Sequence, residues 1–213
     1  MKYDGIIFDM DGVIVDVSRS YREAIRQTAS FFLRREVKKE DVDKIKSMVG
    51  MNNDWDATYA LINNKSLAFN VVKDYFQAKY LGNGKTAGLI LQEKLLISRA
   101  QFKKLKIKYE KLGIATGRPK EEAQFVTRNN RLEGIFDCIV ALEDVRRGKP
   151  FPDSIVKVVD LLQLKNTVYI GDSPSDVLAA EAAGIPSIYI GKDRLGTIQF
   201  PKVSKVIKYL LGK

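Results

Sequence analysis

Histidine is absent from this chain, and cysteine is represented by Cys138 alone. Without histidine, Ser–His and Cys–His nucleophilic mechanisms are excluded, as is every zinc site that depends on an imidazole ligand. A single cysteine cannot form an intramolecular disulfide, and Cys138 lies in the apolar stretch 136–142, where we expect a small buried thiol without a redox role. Acid–base chemistry must therefore fall to carboxylates, lysines or tyrosines.

Long hydrophobic runs are also missing. The apolar runs at 5–8 and 167–170 are far shorter than the roughly 20 residues that cross a bilayer. The first residues enter a strand pattern and do not resemble a signal peptide. We therefore expect a cytoplasmic protein with no membrane partner.

Positive charge is in excess. The 36 lysines and arginines against 26 acidic residues give a formal net charge of +10, which suggests an anionic ligand or nucleic acid as a partner. Most of the basic residues are interleaved with acids or with apolar residues at helical spacing. We interpret them as a solvated lysine-rich surface and regard a nucleic-acid-binding face as the less favoured alternative.

Apolar, β-prone runs alternate with amphipathic helical patterns over most of the chain. Repeated alternation of this kind is typical of a parallel sheet with helices on both faces. The predicted fold is therefore α/β, with a doubly wound parallel sheet. We predict strands at 3–8, 111–115, 137–142, 167–170 and 187–190. We predict helices between them at 99–109, 120–130, 153–164 and 175–183.

One long segment interrupts this alternation. From 18 to about 80 apolar residues recur at three- and four-residue spacing, and no strand pattern intervenes. We interpret this segment as a small all-helical domain inserted after the first strand. The predicted domains are an α/β core at 1–15 and 88–213 and a helical domain at 16–87.

Two carboxylates follow the first predicted strand. Asp9 and Asp11 stand two residues apart, and Gly12 allows the backbone to turn sharply behind them. Open α/β sheets carry their chemistry at the carboxyl ends of their strands. Two neighbouring acids need a cation, and Mg²⁺ fits because it prefers carboxylates and phosphate oxygens.

Later strand ends supply further polar groups. Thr116 and Gly117 offer a hydroxyl and a backbone amide just ahead of a helix, which is a common anion site. Arg118 is expected on the surface. Lys149 lies in a loop restricted by glycine and proline, where its ammonium could neutralise a phosphoryl group and a carboxylate nucleophile.

The strand at 167–170 ends in Gly171-Asp172 and is followed by Asp176. Asp172 is the third candidate carboxylate for a metal, although alone it could be an ordinary helix-capping acid. Asp176 lies about one helical turn later and could orient Asp172 or a bound water.

Taken together, these residues resemble the four motifs of the haloacid dehalogenase superfamily, in order and over residues 5–191. The motifs are Asp9-Met-Asp-Gly-Val13, Thr116, Lys149 and Gly171-Asp-x3-Asp176. The helical insertion resembles the cap domain of the phosphoglycolate-phosphatase-like and β-phosphoglucomutase-like branch. The resemblance implies a Mg²⁺-dependent phosphatase that acts on a small phosphorylated metabolite.

The resemblance also implies roles. Asp9 would attack phosphorus to form an aspartyl-phosphate, and Asp11 would protonate the leaving oxygen and then activate water. Asp9, the Asp11 backbone carbonyl and Asp172 would hold Mg²⁺, supported by Asp176. The groups binding the transferring phosphoryl oxygens would be Thr116, Gly117 and Lys149.

Several alternatives remain at this stage. A phosphomutase of the same fold would use the same catalytic residues, and a binding module could use the basic surface to engage nucleic acid or a protein. Within the helical domain, Asn52 and Asn53 are candidate substrate contacts. Phosphoglycolate, a sugar phosphate and an amino-alcohol phosphate such as histidinol phosphate are all compatible substrates, and both a monomer and a homodimer fit the sequence.

Overall fold

The structure is a computed structural model and describes residues 3–51, 53–83 and 86–212. The chain divides into two compact units. The first, here called the α/β unit, is Met1–Val15 with Leu95–Lys213, and the second, the helical unit, is Asp16–Lys94. The sequence places the return to the α/β unit at residue 88, whereas the structural division places it at Leu95. Within the described residues, none of the helices is long and apolar enough to span a membrane.

A six-stranded sheet forms the centre of the α/β unit. Its strands are β1 (Gly5–Phe8), β4 (Lys111–Ala115), β5 (Cys138–Val140), β6 (Thr167–Gly171), β7 (Ser187–Ile190) and β8 (Ile198–Phe200). They run parallel in the order β5-β4-β1-β6-β7-β8. Two short strands, β2 (Val15–Asp16) and β3 (Lys94–Leu95), form a separate two-stranded sheet.

The register of the central strands determines where the chemistry can lie. Phe8 at the end of β1 pairs with Ile114 in β4 and with Ile170 in β6. The residues that follow these three strands therefore emerge together at the carboxyl edge of the sheet. The chain passes from β1 outward through β4 and β5 and then returns to β6 on the other side of β1. The strand order therefore reverses at β1, and the carboxyl end of β1 is the topological switch point.

Helices cover both faces of the sheet. They are α5 (Arg99–Tyr109), α6 (Lys120–Asn129), α7 (Asp153–Leu162), α8 (Pro174–Ala182) and α9 (Val203–Leu211). Helices α7 and α8 contact each other and the strands on one face, whereas α5 and α9 form the other layer. The α7–α8 side buries a cluster consisting of Ile7, Ala115, Val140, Ile155, Val158, Leu164, Tyr169, Ala179 and Ala180.

The helical unit contains α1 (Tyr21–Leu33), α2 (Lys39–Lys46), α3 (Asp54–Ile62) and α4 (Phe69–Leu81), followed by a 3-10 turn at Leu89–Gln92. Stacked rings fill its interior, with the centroids of Tyr21 and Tyr80 4.1 Å apart. The side chain of Asn53 caps α3 by accepting hydrogen bonds from the amides of Trp55 and Asp56. Asn52, the other candidate substrate contact, lies outside the described residues.

The predicted fold class is confirmed, and each predicted strand of the parallel sheet is present. The structure adds β8, α9 and the β2–β3 pair, which the sequence did not predict. The two-residue strands β2 and β3 are too short to show a hydrophobic period, so pattern alone does not reveal them.

Candidate active site

The carboxyl edge of the sheet holds a buried charge cluster. Asp9, directly after β1, lies with its Oδ1 2.8 Å from the Lys149 ammonium, and the same ammonium contacts Asp176 Oδ1 at 2.5 Å. All three side chains are less than one tenth exposed. One lysine from a loop thus lies between the carboxylate that follows β1 and a carboxylate in the first turn of α8, and the structure brings Asp9, Lys149 and Asp176 together.

Tyr169 completes this cluster, although the sequence analysis did not identify it. Its hydroxyl lies 2.9 Å from Asp176 Oδ1 and accepts a hydrogen bond of 2.9 Å from the Lys149 ammonium. Because β6 is buried on both faces, its residues appear in the sequence as one apolar run, and a tyrosine in such a run resembles ordinary core. The signal that could have identified Tyr169 is its position two residues before Gly171-Asp172, near the carboxyl end of the same strand.

Burial and the neighbouring opposite charges shift the pKa values of these groups in opposite directions. Burial raises the pKa of Asp9 well above its usual range, and the Lys149 ammonium opposes that rise. Burial also raises the pKa of Asp176. The Lys149 ammonium and the hydrogen bonds from Ser173 and Tyr169 outweigh this effect, so the pKa of Asp176 is lowered. The two carboxylates in turn outweigh the effect of burial on Lys149 and raise the pKa of its ammonium. Lys149 therefore stays charged, and so does Asp176.

Thr116 follows β4 at the same edge and is buried. Its backbone amide donates to Val140 O, and its hydroxyl oxygen accepts a 3.2 Å hydrogen bond from the Arg118 amide. At Gly117 a Cβ would meet no atom within 4 Å, so the space beside this backbone is open. The Gly117 backbone therefore borders a space that a phosphoryl group could enter.

The prediction that Arg118 lies on the surface is wrong, because the residue is buried. Its side chain is 1% exposed, and its guanidinium donates from Nε to Asp11 Oδ1 at 2.6 Å while Nη2 contacts the same oxygen. A buried guanidinium needs hydrogen-bond acceptors in place of the water it loses, and the Asp11 carboxyl oxygen provides one. Sequence reasoning missed this pair because the two residues are separated by 107 positions and meet through the β1–β4 pairing.

Asp172 lies against the turn that follows Asp9. A Cβ added at Gly12 would stand 1.8 Å from Asp172 Oδ2, and the φ of Gly12 is 69°. Only glycine combines this left-handed backbone with such a close approach. The Gly12 turn therefore allows the Asp172 carboxylate to approach the loop that carries Asp9 and Asp11.

The carboxylates fit a hard divalent cation. Asp9, Asp172 and Asp176 each place one oxygen within 4.8 Å of the others. All three donors are oxygens, the ligand type that Mg²⁺ prefers. Asp176 already binds Lys149 and Ser173, which suits a supporting role. The Asp11 side chain is not in this group, and its Oδ1 is paired with Arg118.

Removal of the Tyr169 hydroxyl should weaken the charge cluster but leave its ion pairs in place. We expect Tyr169→Phe to lower the free energy of unfolding by about 1–3 kcal/mol, since Lys149 and Asp176 each lose a buried hydrogen-bond partner. Denaturant unfolding measures this loss. Tyr59→Phe is the matched control, because the Tyr59 hydroxyl bonds to a backbone carbonyl in the helical unit. An unchanged stability in Tyr169→Phe would mean that the hydroxyl contributes nothing to the cluster.

The fold and the acidic strand ends define a doubly wound α/β protein with a carboxylate-rich site at the switch point of its sheet. Residues 6–190 match the haloacid dehalogenase-like hydrolase family. The chain belongs to this family, and its membership confirms both the family predicted from the four motifs and the prediction that the chain is an enzyme of the phosphatase type.

Individual relatives differ in how much of their length they share with the chain. An imidazoleglycerol-phosphate dehydratase of Phytophthora nicotianae is 35% identical over 189 residues, but the match covers 84% of the chain and 41% of that protein. The chain therefore spans less than half of that relative. A phosphorylated carbohydrates phosphatase of Thermotoga maritima is 30% identical over 188 residues, covering 87% of the chain and 84% of the relative.

Among solved structures, CbbY from Rhodobacter sphaeroides in complex with phosphate superposes with a TM-score of 0.72 at 19% identity. The match covers 96% of each chain. At this identity the likeness shows the fold alone.

Proposed function

We propose that this chain is a Mg²⁺-dependent phosphohydrolase that acts on a small phosphate monoester through an aspartyl-phosphate on Asp9. The observation that carries the proposal is the buried Asp9 carboxylate, held 2.8 Å from the Lys149 ammonium at the carboxyl edge of the sheet. A carboxylate that is desolvated, oriented and backed by a fixed cation is suited to attack an anionic phosphoryl group.

In the first step Asp9 attacks phosphorus, and the bond from phosphorus to the leaving oxygen breaks as the Asp9–phosphorus bond forms. Lys149 offsets the negative charge of both the phosphoryl group and the nucleophile. Thr116 Oγ1 and the Gly117 amide bind the transferring oxygens in the open space beside the backbone. Asp11 donates its proton to the leaving oxygen, which departs as a neutral alcohol.

In the second step a water molecule attacks the aspartyl-phosphate. Asp11, now a carboxylate, takes a proton from this water, and Asp9 departs as a carboxylate. Phosphate is released, and both aspartates return to their starting protonation states. The same residue thus serves as acid and then as base.

Asp9, the Asp11 backbone carbonyl and Asp172 would hold Mg²⁺, with Asp176 fixing Lys149 nearby. When bound, the ion neutralises negative charge on the phosphoryl oxygens and lets Asp9 remain ionised next to the other carboxylates. The helical unit is proposed to select the substrate, and Asn53 is retained as a candidate contact, although its side chain already caps α3.

A screen of phosphate esters with Mg²⁺ and with a chelator tests the reaction. The panel should contain phosphoglycolate, hexose phosphates and histidinol phosphate. Sugar phosphates follow from the name of the Thermotoga maritima relative, and an imidazole-bearing ester follows from the name of the Phytophthora nicotianae relative. We expect Mg²⁺-dependent release of inorganic phosphate. Isomerised sugar phosphate without free phosphate would instead identify a phosphomutase.

Mg²⁺ binding should also be visible without turnover. At a hundredfold excess over Kd a ligand adds about 2.7 kcal/mol to the free energy of unfolding. For a chain of this size that corresponds to a rise in melting temperature of roughly 5–10 °C. We expect Asp172→Asn to lose most of this rise, because it removes a carboxylate of the cluster.

The matched control for that measurement is Asp193→Asn, which removes an exposed carboxylate of the same unit. It should keep the full Mg²⁺-dependent rise in melting temperature. An equal rise in Asp172→Asn and in the wild type would exclude Asp172 from the metal site.

A further inference from the structure

The Arg118–Asp11 pair is asymmetric in its geometry. Two nitrogens of the guanidinium, Nε and Nη2, contact the same carboxylate oxygen, Asp11 Oδ1. Within the described part of the chain, Asp11 Oδ2 accepts no hydrogen bond. The pair is therefore not the fork-to-fork arrangement in which both carboxylate oxygens are engaged. It fixes one oxygen and leaves the other available.

The two side chains also differ in exposure. The Arg118 side chain is 1% exposed, whereas that of Asp11 is 29% exposed. A pair placed for stability alone would have little reason to bury the cation completely and leave its carboxyl partner partly exposed, because burying a charge is costly. This arrangement instead holds the partly exposed Asp11 carboxyl group against a buried guanidinium.

The backbone around Arg118 is held on both sides of the residue. Its amide donates to Thr116 Oγ1, and its carbonyl accepts a 2.9 Å hydrogen bond from the Leu142 amide. Thr116 follows β4, and Leu142 lies just beyond β5. The Arg118 backbone is thus anchored to two strand ends of the sheet, and the guanidinium extends from this fixed backbone to Asp11.

We propose that Arg118 is a positioning residue for Asp11. The inference rests on the proposed function, in which Asp11 protonates the leaving oxygen. Arg118 holds Oδ1, so Oδ2 is left as the oxygen that exchanges a proton with the leaving group. As the Asp9–phosphorus bond forms and the bond to the leaving oxygen breaks, the Oδ2 proton moves to that oxygen. The negative charge that develops on Asp11 then lies against the guanidinium.

A leaving-group comparison tests this role. The parameter kcat/KM covers the steps up to release of the alcohol, so it reports the acid step and not the later water step. Phenyl phosphate has a poor leaving group that needs the proton, whereas 4-nitrophenyl phosphate has a good one that does not. We expect Arg118→Gln to lower kcat/KM for phenyl phosphate by about tenfold to a hundredfold, the cost of a misplaced catalytic group. For 4-nitrophenyl phosphate the loss should stay below about threefold, since the step then gains little from an acid.

Two further variants complete the comparison. Arg118→Lys keeps a buried charge but offers a single ammonium in place of the guanidinium fork, so we expect a smaller, equally selective loss. It also serves as the test if Arg118→Gln does not fold. Arg128→Gln makes the same change at an exposed arginine of α6 and should leave both substrates unaffected.

The double variant Asp11→Asn/Arg118→Gln separates positioning from general damage. If Arg118 acts through Asp11, the double variant loses no more phenyl phosphate activity than Asp11→Asn alone. Equal losses on the two substrates, or losses that multiply in the double variant, would overturn the proposal. These results leave the proposed function standing, because the wild type would still release phosphate from both esters in a Mg²⁺-dependent way. A wild type inactive on both esters would refute the proposed function and this inference with it.

Discussion

Asp9→Asn should abolish turnover. We expect kcat/KM to fall by at least about three orders of magnitude for every substrate of the wild type, comparable with the loss of other covalent nucleophiles. The asparagine amide has nearly the shape of the carboxylate but cannot attack phosphorus. The fall should be the same for good and poor leaving groups, because the nucleophile is needed whatever alcohol departs. Steady-state assays with Mg²⁺ measure it directly.

The fold should tolerate this change. An amide at residue 9 can still contact the Lys149 ammonium, now without a negative charge, and Asp176 continues to neutralise that ammonium. Asp193→Asn controls for the loss of one negative charge and should keep full activity. Retained phosphate release in Asp9→Asn would exclude Asp9 as the nucleophile.

Lys149→Met should damage both catalysis and stability. Removal of one partner from a buried ion pair costs about 3–5 kcal/mol, since the remaining charge loses its compensation. Here two buried carboxylates, Asp9 and Asp176, lose the same ammonium. We expect activity to fall by at least about a hundredfold, as for the loss of one preorganised electrostatic group. The unfolding free energy should fall by about 3–5 kcal/mol at neutral pH.

The loss of stability in Lys149→Met should depend on pH, and the direction of that dependence follows from the pKa shifts. In the wild type the folded-state pKa of Asp176 lies below its unfolded value, so its contribution to stability is present above the unfolded pKa and lost as the pH falls. Without Lys149, burial raises the folded pKa values of Asp9 and Asp176 above their unfolded values. Their penalty is then relieved as they take up protons. The stability difference between wild type and Lys149→Met should therefore shrink as the pH falls from neutral toward about 4.

A second substitution checks the cause. Adding Asp176→Asn to Lys149→Met removes one of the uncompensated carboxylates, so the double variant should be more stable at neutral pH than Lys149→Met alone. Contacting residues typically show coupling energies of about 0.5–3 kcal/mol. Strictly additive losses, or a Lys149→Met penalty that is constant with pH, would contradict this electrostatic account.

Much of the architecture could be predicted because local pattern and topology agree. The buried strands β1, β4 and β6 are apolar runs that end in polar residues, and parallel pairing brings such ends to one edge. Asp9, Thr116 and Asp172 each follow one of these strands. Their assembly at a common edge therefore follows from sequence order and sheet geometry alone.

The polar partners of these residues could not be predicted in the same way. Arg118 and Tyr169 look ordinary in the sequence, the first in a loop and the second in a core strand. Their roles depend on which direction a side chain points and on contacts 107 and 7 residues away in the chain. Such contacts have no local period. Cys138, which the sequence predicts to be buried, is half-buried and packs against the core, and burial raises the pKa of its thiol to about 11.

The most direct test of the account is the detection of a phosphoryl group on Asp9. In Asp11→Asn the water step should be slow, whereas 4-nitrophenyl phosphate can still phosphorylate Asp9 because its leaving group needs no acid. Rapid mixing should give a burst of about one nitrophenolate per enzyme. Acid quenching and peptide mapping should then locate the phosphoryl group on Asp9. Linear release without a burst, or a phosphoryl group on any other residue, would contradict the mechanism.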